Sequence, residues 1–249
     1  MPEQYDPSQP QSPRRPGPDP ERDPQQPDRN SAGGGVKKNA AGLHQAHFAH
    51  RRDIHFARSL LNRLETRVAT GFSALDELLD GGWPAASLTE ILVPQGDPGG
   101  LWILLPALAA LSQTERWVVL VAPPHIPYAP ALARHGLDLG KILLIHPKAG
   151  RDLLWSTEES LKSGVCSSVL FWLQLPEPRA SRRLQLAAEQ GHAMAVCFCP
   201  LAQRKQRSPA ALRLGLTPLD HGARIEIIKQ RGGTRTKTLE LHYAEAGYD

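Results

Sequence analysis

From about residue 68 onward the chain alternates short, continuously apolar runs with longer segments whose apolar positions recur every three or four residues. Leu88-Thr89-Glu90-Ile91-Leu92-Val93 is of strand length, and a Gly- and Pro-rich loop from Pro94 to Gly100 follows it. Further strands are predicted at Trp117–Ala122, Lys141–His146, Ser168–Leu173 and Ala193–Cys199. Between them the spacing predicts helices near Tyr128–His135, over Asp152–Lys162 and over the Arg-rich stretch Arg179–Gln190. Leu101–Leu111 is apolar all round, as in a helix buried against a sheet, with Pro106 either kinking it or marking its first turn. Uninterrupted apolar strands alternating with helices indicate an α/β domain with a mostly parallel central sheet covered on both faces. The runs Leu212–Thr217, Arg224–Gln230 and Thr238–Tyr243 read as antiparallel edge strands, the middle one alternating with period two only in part. Ahead of the first strand, Ser73 is placed to cap a short helix through Leu75, Leu78 and Leu79, with Asp76 as capping-box partner and Gly81-Gly82 ending it.

Composition divides the chain into three parts. Residues 1–42 are dominated by Pro, Gln, Asp, Arg and Gly and offer almost nothing to bury, so a disordered tail is expected. Residues 43–67 carry apolar and His positions at helical spacing. Residues 68–249 are the expected globular domain. His44, His47, His50 and His55 invite a metal site, but three-residue steps spread ligands around a helix and no Cys or carboxylate cluster completes a set, so no metal is expected. Cys166, Cys197 and Cys199 have no CxxC spacing and sit in or beside apolar runs, as reduced core residues of a cytosolic protein do. The sequence has no apolar stretch of membrane-spanning length and no signal-peptide core, which again points to the cytoplasm.

The segment from Thr70 to Leu105 has the order strand, glycine-rich loop, helix, which is the layout of a phosphate cradle. Its residues depart from a working one. Val93 stands at the first Gly position of G-x-x-x-x-G-K-[ST], the second falls on Pro98 or Gly99, and the Lys and Ser/Thr positions fall on Gly99, Gly100 or Leu101. No lysine occurs between Lys38 and Lys141, and Pro98 removes an N–H from a loop that binds phosphate by N–H donation. Loss of one charged donor and one or two others weakens nucleotide binding by about 3–6 kcal/mol. The loop at Val93, Pro94, Gly96, Pro98, Gly99 and Gly100 is therefore a degenerate phosphate loop, and no cofactor is expected there.

TG-x-x-x-LD, then GG-x-P, then a strand ending in a loop resembles the start of the RecA-type recombinase core. Within that superfamily TGFSALDELLDGGWP, LTEIL, LLPALAALS and RWVVLVAPPHIPYAPALARHGLDL resemble the ImuA family and its relative SulA, over about Val68 to Tyr243. The resemblance implies a RecA-like, P-loop-type core. It also places a water-activating glutamate where Pro124 precedes His125, and a magnesium-organising aspartate near Trp172. With neither present, and no Ser/His/Asp or Cys/His arrangement defensible from spacing, the chain is not expected to be an enzyme. The leading implication is a non-catalytic accessory protein of SOS-induced translesion DNA synthesis, whose partners would be an ImuB-like Y-family protein, an error-prone replicative-type polymerase and RecA. The alternative is a SulA-like cell-division inhibitor that blocks assembly of FtsZ in the SOS response; the longer N-terminal region and the full TGFSALDELLDGGWP opening favour ImuA.

Charge adds candidate contact residues. The net charge is +4 with a pI near 9.1, and the positive groups gather in the last third. Arg204, Lys205 and Arg207 follow the strand ending at Cys199, where recombinases carry a DNA-contacting loop. Lys229, Arg231, Arg235 and Lys237 belong to a segment with a Gly-Gly hairpin turn. The two clusters are expected at one end of the sheet, facing a protein in preference to DNA because no stacking aromatic is interleaved; a few phosphates would give only weak, non-specific, salt-sensitive DNA binding. Phe171 and Trp172, running on into Leu173-Gln174-Leu175-Pro176, form a second candidate contact surface, whereas Trp83, Trp102 and Trp155 read as core.

Overall fold

The computed structural model describes residues 67–94, 100–148, 150–173, 177–232 and 237–246. The expected tail and His-bearing helix lie outside these residues, as do Gly96, Pro98, Gly99 and Arg235.

The elements alternate as the pattern predicts. Two-residue strands β1 (Arg67–Val68) and β2 (Trp83–Pro84) pair antiparallel around α1 (Ser73–Leu78). Then come β3 (Leu88–Val93), a 3-10 turn at Leu101–Leu104, α2 (Leu105–Ser112), β4 (Trp117–Val121), α3 (Ala129–Arg134), β5 (Ile142–Ile145), α4 (Gly150–Lys162), β6 (Cys166–Trp172), α5 (Pro178–Gly191) and β7 (Met194–Pro200). A further 3-10 turn, Leu201–Lys205, leads towards β8 (Leu212–Leu219), β9 (Gly222–Gln230) and β10 (Thr238–His242). Eight strands form one sheet in the order β10-β9-β8-β3-β7-β6-β4-β5, parallel from β8 to β5. A mostly parallel sheet between helices is thus shown.

Alternation along the strands sends side chains to two cores. Ile91, Val118, Leu120, Leu170, Val196 and Phe198 meet α1, α2 and Trp83 on one face. Leu88, Leu92, Val119, Val169 and Phe171 meet α4 and α5 on the other. β3 is buried along its whole length, which is why it reads as an unbroken run despite Glu90 in its middle.

Three local expectations change. Ser73 does not cap α1. Thr70 takes that place: its hydroxyl accepts from the Phe72 N–H at 3.1 Å, and its own N–H donates to Asp76 Oδ1 at 2.8 Å, so Asp76 closes the turn from a different donor. The helix gives way at Leu79 and Asp80, and Gly82 follows with φ +114°, where a Cβ would lie 2.2 Å from the Val68 carbonyl oxygen. Second, β8 is no antiparallel edge strand. The segment 201–211 runs back along the sheet, so β8 starts level with Thr89 and lies parallel to β3; β8 with β9 and β9 with β10 pair antiparallel, and of these three strands only β10 is at an edge. Third, Trp155 is 64% exposed on α4. Pro106 sits in the first turn of α2, so the proline starts that helix and does not kink it.

On the second face α4 and α5 are clasped together. Burial pushes the Glu158 carboxyl up, but hydrogen bonds from Lys162 and Arg183 outweigh it and hold the group below its ordinary value. At the foot of α5 a Cβ on Gly191 would fall 1.7 Å from the Leu161 carbonyl oxygen, so only glycine allows the helices this approach. Gly191→Ala should therefore destabilise the protein by about 2–4 kcal/mol. Gly150→Ala, with nothing within 4 Å, should stay within about 0.5 kcal/mol. Urea unfolding of the two variants checks the contrast.

Candidate functional site

A buried ion pair joins β3 to β8. Arg213 Nε donates to Glu90 Oε2 at 2.7 Å, with both side chains almost fully buried. Three of the remaining guanidinium N–H groups bond to main-chain carbonyls of the segment that crosses above them: NH1 to Gln206 at 2.7 Å and Arg204 at 3.3 Å, NH2 to Gln203 at 3.1 Å. Ser208 Oγ donates to the other oxygen of Glu90. Each charge is thus matched and hydrogen-bonded, the condition for keeping it in an apolar interior. Glu90 also lies beside Cys197 in the strand register. Burial first, then the neighbouring Cys199 thiol and the Glu90 carboxylate, push the Cys197 thiol well above its ordinary value, away from nucleophilic use. All three cysteines are buried and unpaired in disulfides.

Among the described residues, the basic groups singled out in the sequence do not form one patch. Arg204 is held by Glu226 in a two-pronged pair, and Arg231 lies 3.6 Å from Glu189. Lys229 donates to the Ser208 carbonyl at 2.6 Å, and burial pulls its ammonium below the ordinary value. Lys205, Arg207 and Lys237 are exposed. Nor do the clusters share one end of the sheet. Leu201–Lys205 follows the finishing end of β7, whereas Gln230 pairs with Leu212, where β8 begins, so Lys229 and Arg231 lie towards the opposite end. The expectation of a common end fails because residues 201–211 return the chain along the sheet before the last strands start.

Phe171 and Trp172 separate in the same way. Phe171 is fully buried in the second core. Trp172 is half-buried and stacks on Phe198 with ring centroids 4.9 Å apart. Within the phosphate-loop region, Val93 ends β3, Pro94 follows it, and Gly100 has φ +106°. A Cβ there would meet Leu216 at 2.8 Å and Phe198 at 3.3 Å, so Gly100 is packed against the core.

Exposed large apolar side chains gather elsewhere. Trp117, Ile126, Tyr128, Leu139, Leu143 and Leu144 all belong to the β4–α3–β5 unit at one edge of the sheet. Val165 adjoins them, its carbonyl accepting from the Trp117 N–H at 2.8 Å. Among the described residues no group of three or more His, Cys, Asp or Glu could hold a metal ion, and no helix is long and apolar enough to cross a membrane.

Comparison with known proteins decides between the two family resemblances. The family model described as "Cell division inhibitor SulA" matches residues 86–195. The cell division inhibitor SulA of Pseudomonas aeruginosa is 32% identical over 136 residues, covering 51% of this chain and 84% of the relative. The chain belongs to the SulA family. The SulA of Serratia proteamaculans is 28% identical over 145 residues, with 57% of this chain and 85% of the relative covered. That of Photorhabdus laumondii is 32% identical over 114 residues, 46% of this chain and 64% of the relative. The crystal structure of SulA from Pseudomonas aeruginosa aligns at 33% identity and a TM-score of 0.40, covering 47% of this chain and 99% of that one.

Membership of the SulA family overturns the translesion-synthesis reading. The relatives are cell-division inhibitors by name, so the expected ImuB-like, polymerase and RecA partners are withdrawn. Extra length before the shared segment was a poor discriminator, because the similarity that assigns the family lies within the core. The pair Glu90–Arg213 was missed for a related reason: an isolated Glu in one strand and an isolated Arg in another carry no sequence signal until β8 is known to lie beside β3. Removing one partner alone should cost about 3–5 kcal/mol. Arg213→Met should show this loss in chemical unfolding, and adding Glu90→Leu should recover only part of it, because the carbonyls of Gln203, Arg204 and Gln206 stay without their donor.

Proposed function

We propose that this protein inhibits cell division by direct contact with a protein of the division machinery, and that its target is FtsZ, whose assembly the family resemblance implies it blocks. The observation that carries this reading is the 32% identity to the Pseudomonas aeruginosa cell division inhibitor over 84% of that relative's length. Action by contact rather than by chemistry is supported by the fate of the charged groups, since Glu90, Arg213, Arg204 and Glu158 are engaged in ion pairs. The exposed apolar residues of the β4–α3–β5 edge lie inside the matched stretch 86–195 and offer a surface a protein can cover. The same resemblance supports a cytoplasmic location and expression in the SOS response. Added to FtsZ with GTP, the purified protein should suppress polymer pelleting in a dose-dependent way. Polymer that pellets undiminished at several-fold excess would end this reading.

The core is further read as a RecA-type core whose phosphate loop is retired. Its support is the absence of a glycine at Val93, the packing of Gly100 on Leu216 and Phe198, and a following turn, Leu-Trp-Ile-Leu at 101–104, with neither ammonium nor hydroxyl. Titration calorimetry with ATP and magnesium should show affinity weakened about 10²- to 10⁴-fold from the micromolar binding of a working loop. A low-micromolar dissociation constant would restore a working nucleotide site.

A further inference from the structure

The Arg-rich stretch of the sequence becomes α5, and the fold leaves most of its charge unpaired. Arg204 and Arg224 are taken up by Glu226 and Glu240. Arg151, Arg179 and Arg182, by contrast, are exposed and have no ion-pair or hydrogen-bond partner among the described residues. Arg183 gives one nitrogen to Glu158, yet its side chain is still 62% exposed. Two helices bring these groups together. Both α4 and α5 lead from the finishing end of one parallel strand back to the start of the next, so they run in the same direction. The close approach of Gly191 to Leu161 and the Glu158–Arg183 pair hold them side by side. On α4 the helical repeat puts Arg151, Trp155 and Glu158 on one stripe, the one that meets α5. On α5 it puts Arg179, Arg183 and Leu186 on the stripe that meets α4, with Arg182 beside them. The seam between the helices therefore carries arginines on both banks, and two large apolar side chains, Trp155 and Leu186, stand in solvent along it.

We propose that the α4–α5 face docks an acidic segment of a partner protein, with carboxylates on Arg151, Arg179 and Arg182 and large apolar side chains against Trp155 and Leu186. The free cations of the seam are all arginines, whose planar fork meets a carboxylate through two parallel hydrogen bonds. Tryptophan and arginine are also the side chains that most often carry the binding energy of a protein interface.

Charge separates this occupant from a nucleic acid. Asp152 and Glu159 on α4 and Glu177 at the entry to α5 are exposed as well. They would repel a continuous run of phosphates, whereas the carboxylates of a peptide are discrete and need meet only the arginines. Leu186 offers no ring on which a base could stack. The face is also separate from the apolar β4–α3–β5 edge. Leu132 of α3 packs into the first core, whereas Leu161 of α4 and Leu184 of α5 pack into the second. The inference therefore stands whichever protein that edge contacts.

Fluorescence anisotropy tests the proposal, with the full-length chain titrated into a fluorescein-labelled peptide, Glu-Asp-Glu-Phe-Asp-Glu-Leu-Glu. The wild type should bind this probe, and more weakly as salt is raised. A counterpart with Gln and Asn in place of Glu and Asp should bind at least about tenfold more weakly. Trp155→Ala and Arg182→Glu should each weaken binding of the acidic peptide at least about tenfold. Arg134→Glu, an equal change of charge at an exposed position of α3, should leave it within about twofold. All three side chains stand in solvent, so the melting temperatures should stay nearly unchanged. A wild type that does not bind the peptide, equal losses in Arg182→Glu and Arg134→Glu, or undiminished binding by Trp155→Ala would each overturn the proposal. Tighter binding of oligothymidylate than of the peptide would overturn it too, in favour of a nucleic acid.

Discussion

A carboxylate and a guanidinium stay charged inside a packed sheet only when each has the other and each of their polar atoms is hydrogen-bonded. Glu90 and Arg213 meet that condition on adjacent strands, and much of the second half of the chain depends on it. Arg213 grips the carbonyls of Gln203, Arg204 and Gln206, so the segment that returns from β7 is fixed across the sheet. That return makes β8 parallel to β3 and allows β9 and β10 to follow as a meander. Helices cover the same face over β4, β6 and β7. Over β8 and the flank of β3 beside it a length of irregular chain covers it, and an irregular chain needs polar anchors for its carbonyls where a helix would satisfy its own.

The strand and helix alternation was legible because a sheet covered on both faces needs uninterrupted apolar runs. Cys166–Trp172 and Met194–Pro200 announce themselves for that reason. The start of α1 misled because Ser73 has the right chemistry one turn too late, while Thr70 reaches the same backbone from outside the helix. The orientation of β8 could not be read from its residues at all. A strand does not record which way its neighbour runs, and the connection that decides it carries no helix or turn signal of its own.

The candidate surfaces show the same division. Basic residues close together in sequence were expected to act together, yet the fold spends Arg204 on Glu226 and sets Arg231 beside Glu189, leaving a dispersed set. The apolar edge was hidden for the opposite reason. Ile142–Ile145 looks like any buried strand in sequence, and only its place at the end of the order β6-β4-β5 exposes it. Burial is legible from composition, whereas position within a sheet belongs to topology. A protein whose proposed work is contact keeps its informative residues where sequence reasoning sees only core.

The matched family segment, residues 86–195, contains Glu90 but ends before Arg213. One half of the buried pair is thus inside the stretch the family model matches and the other half beyond it. A chain of this fold lacking the last three strands would carry a lone carboxylate on an open flank of β3, with no cation to neutralise it. Without Arg213 beside it, position 90 would hold its carboxylate only at the cost of an unpaired buried charge, so the terminal strands are what make an acid tolerable at the centre of β3.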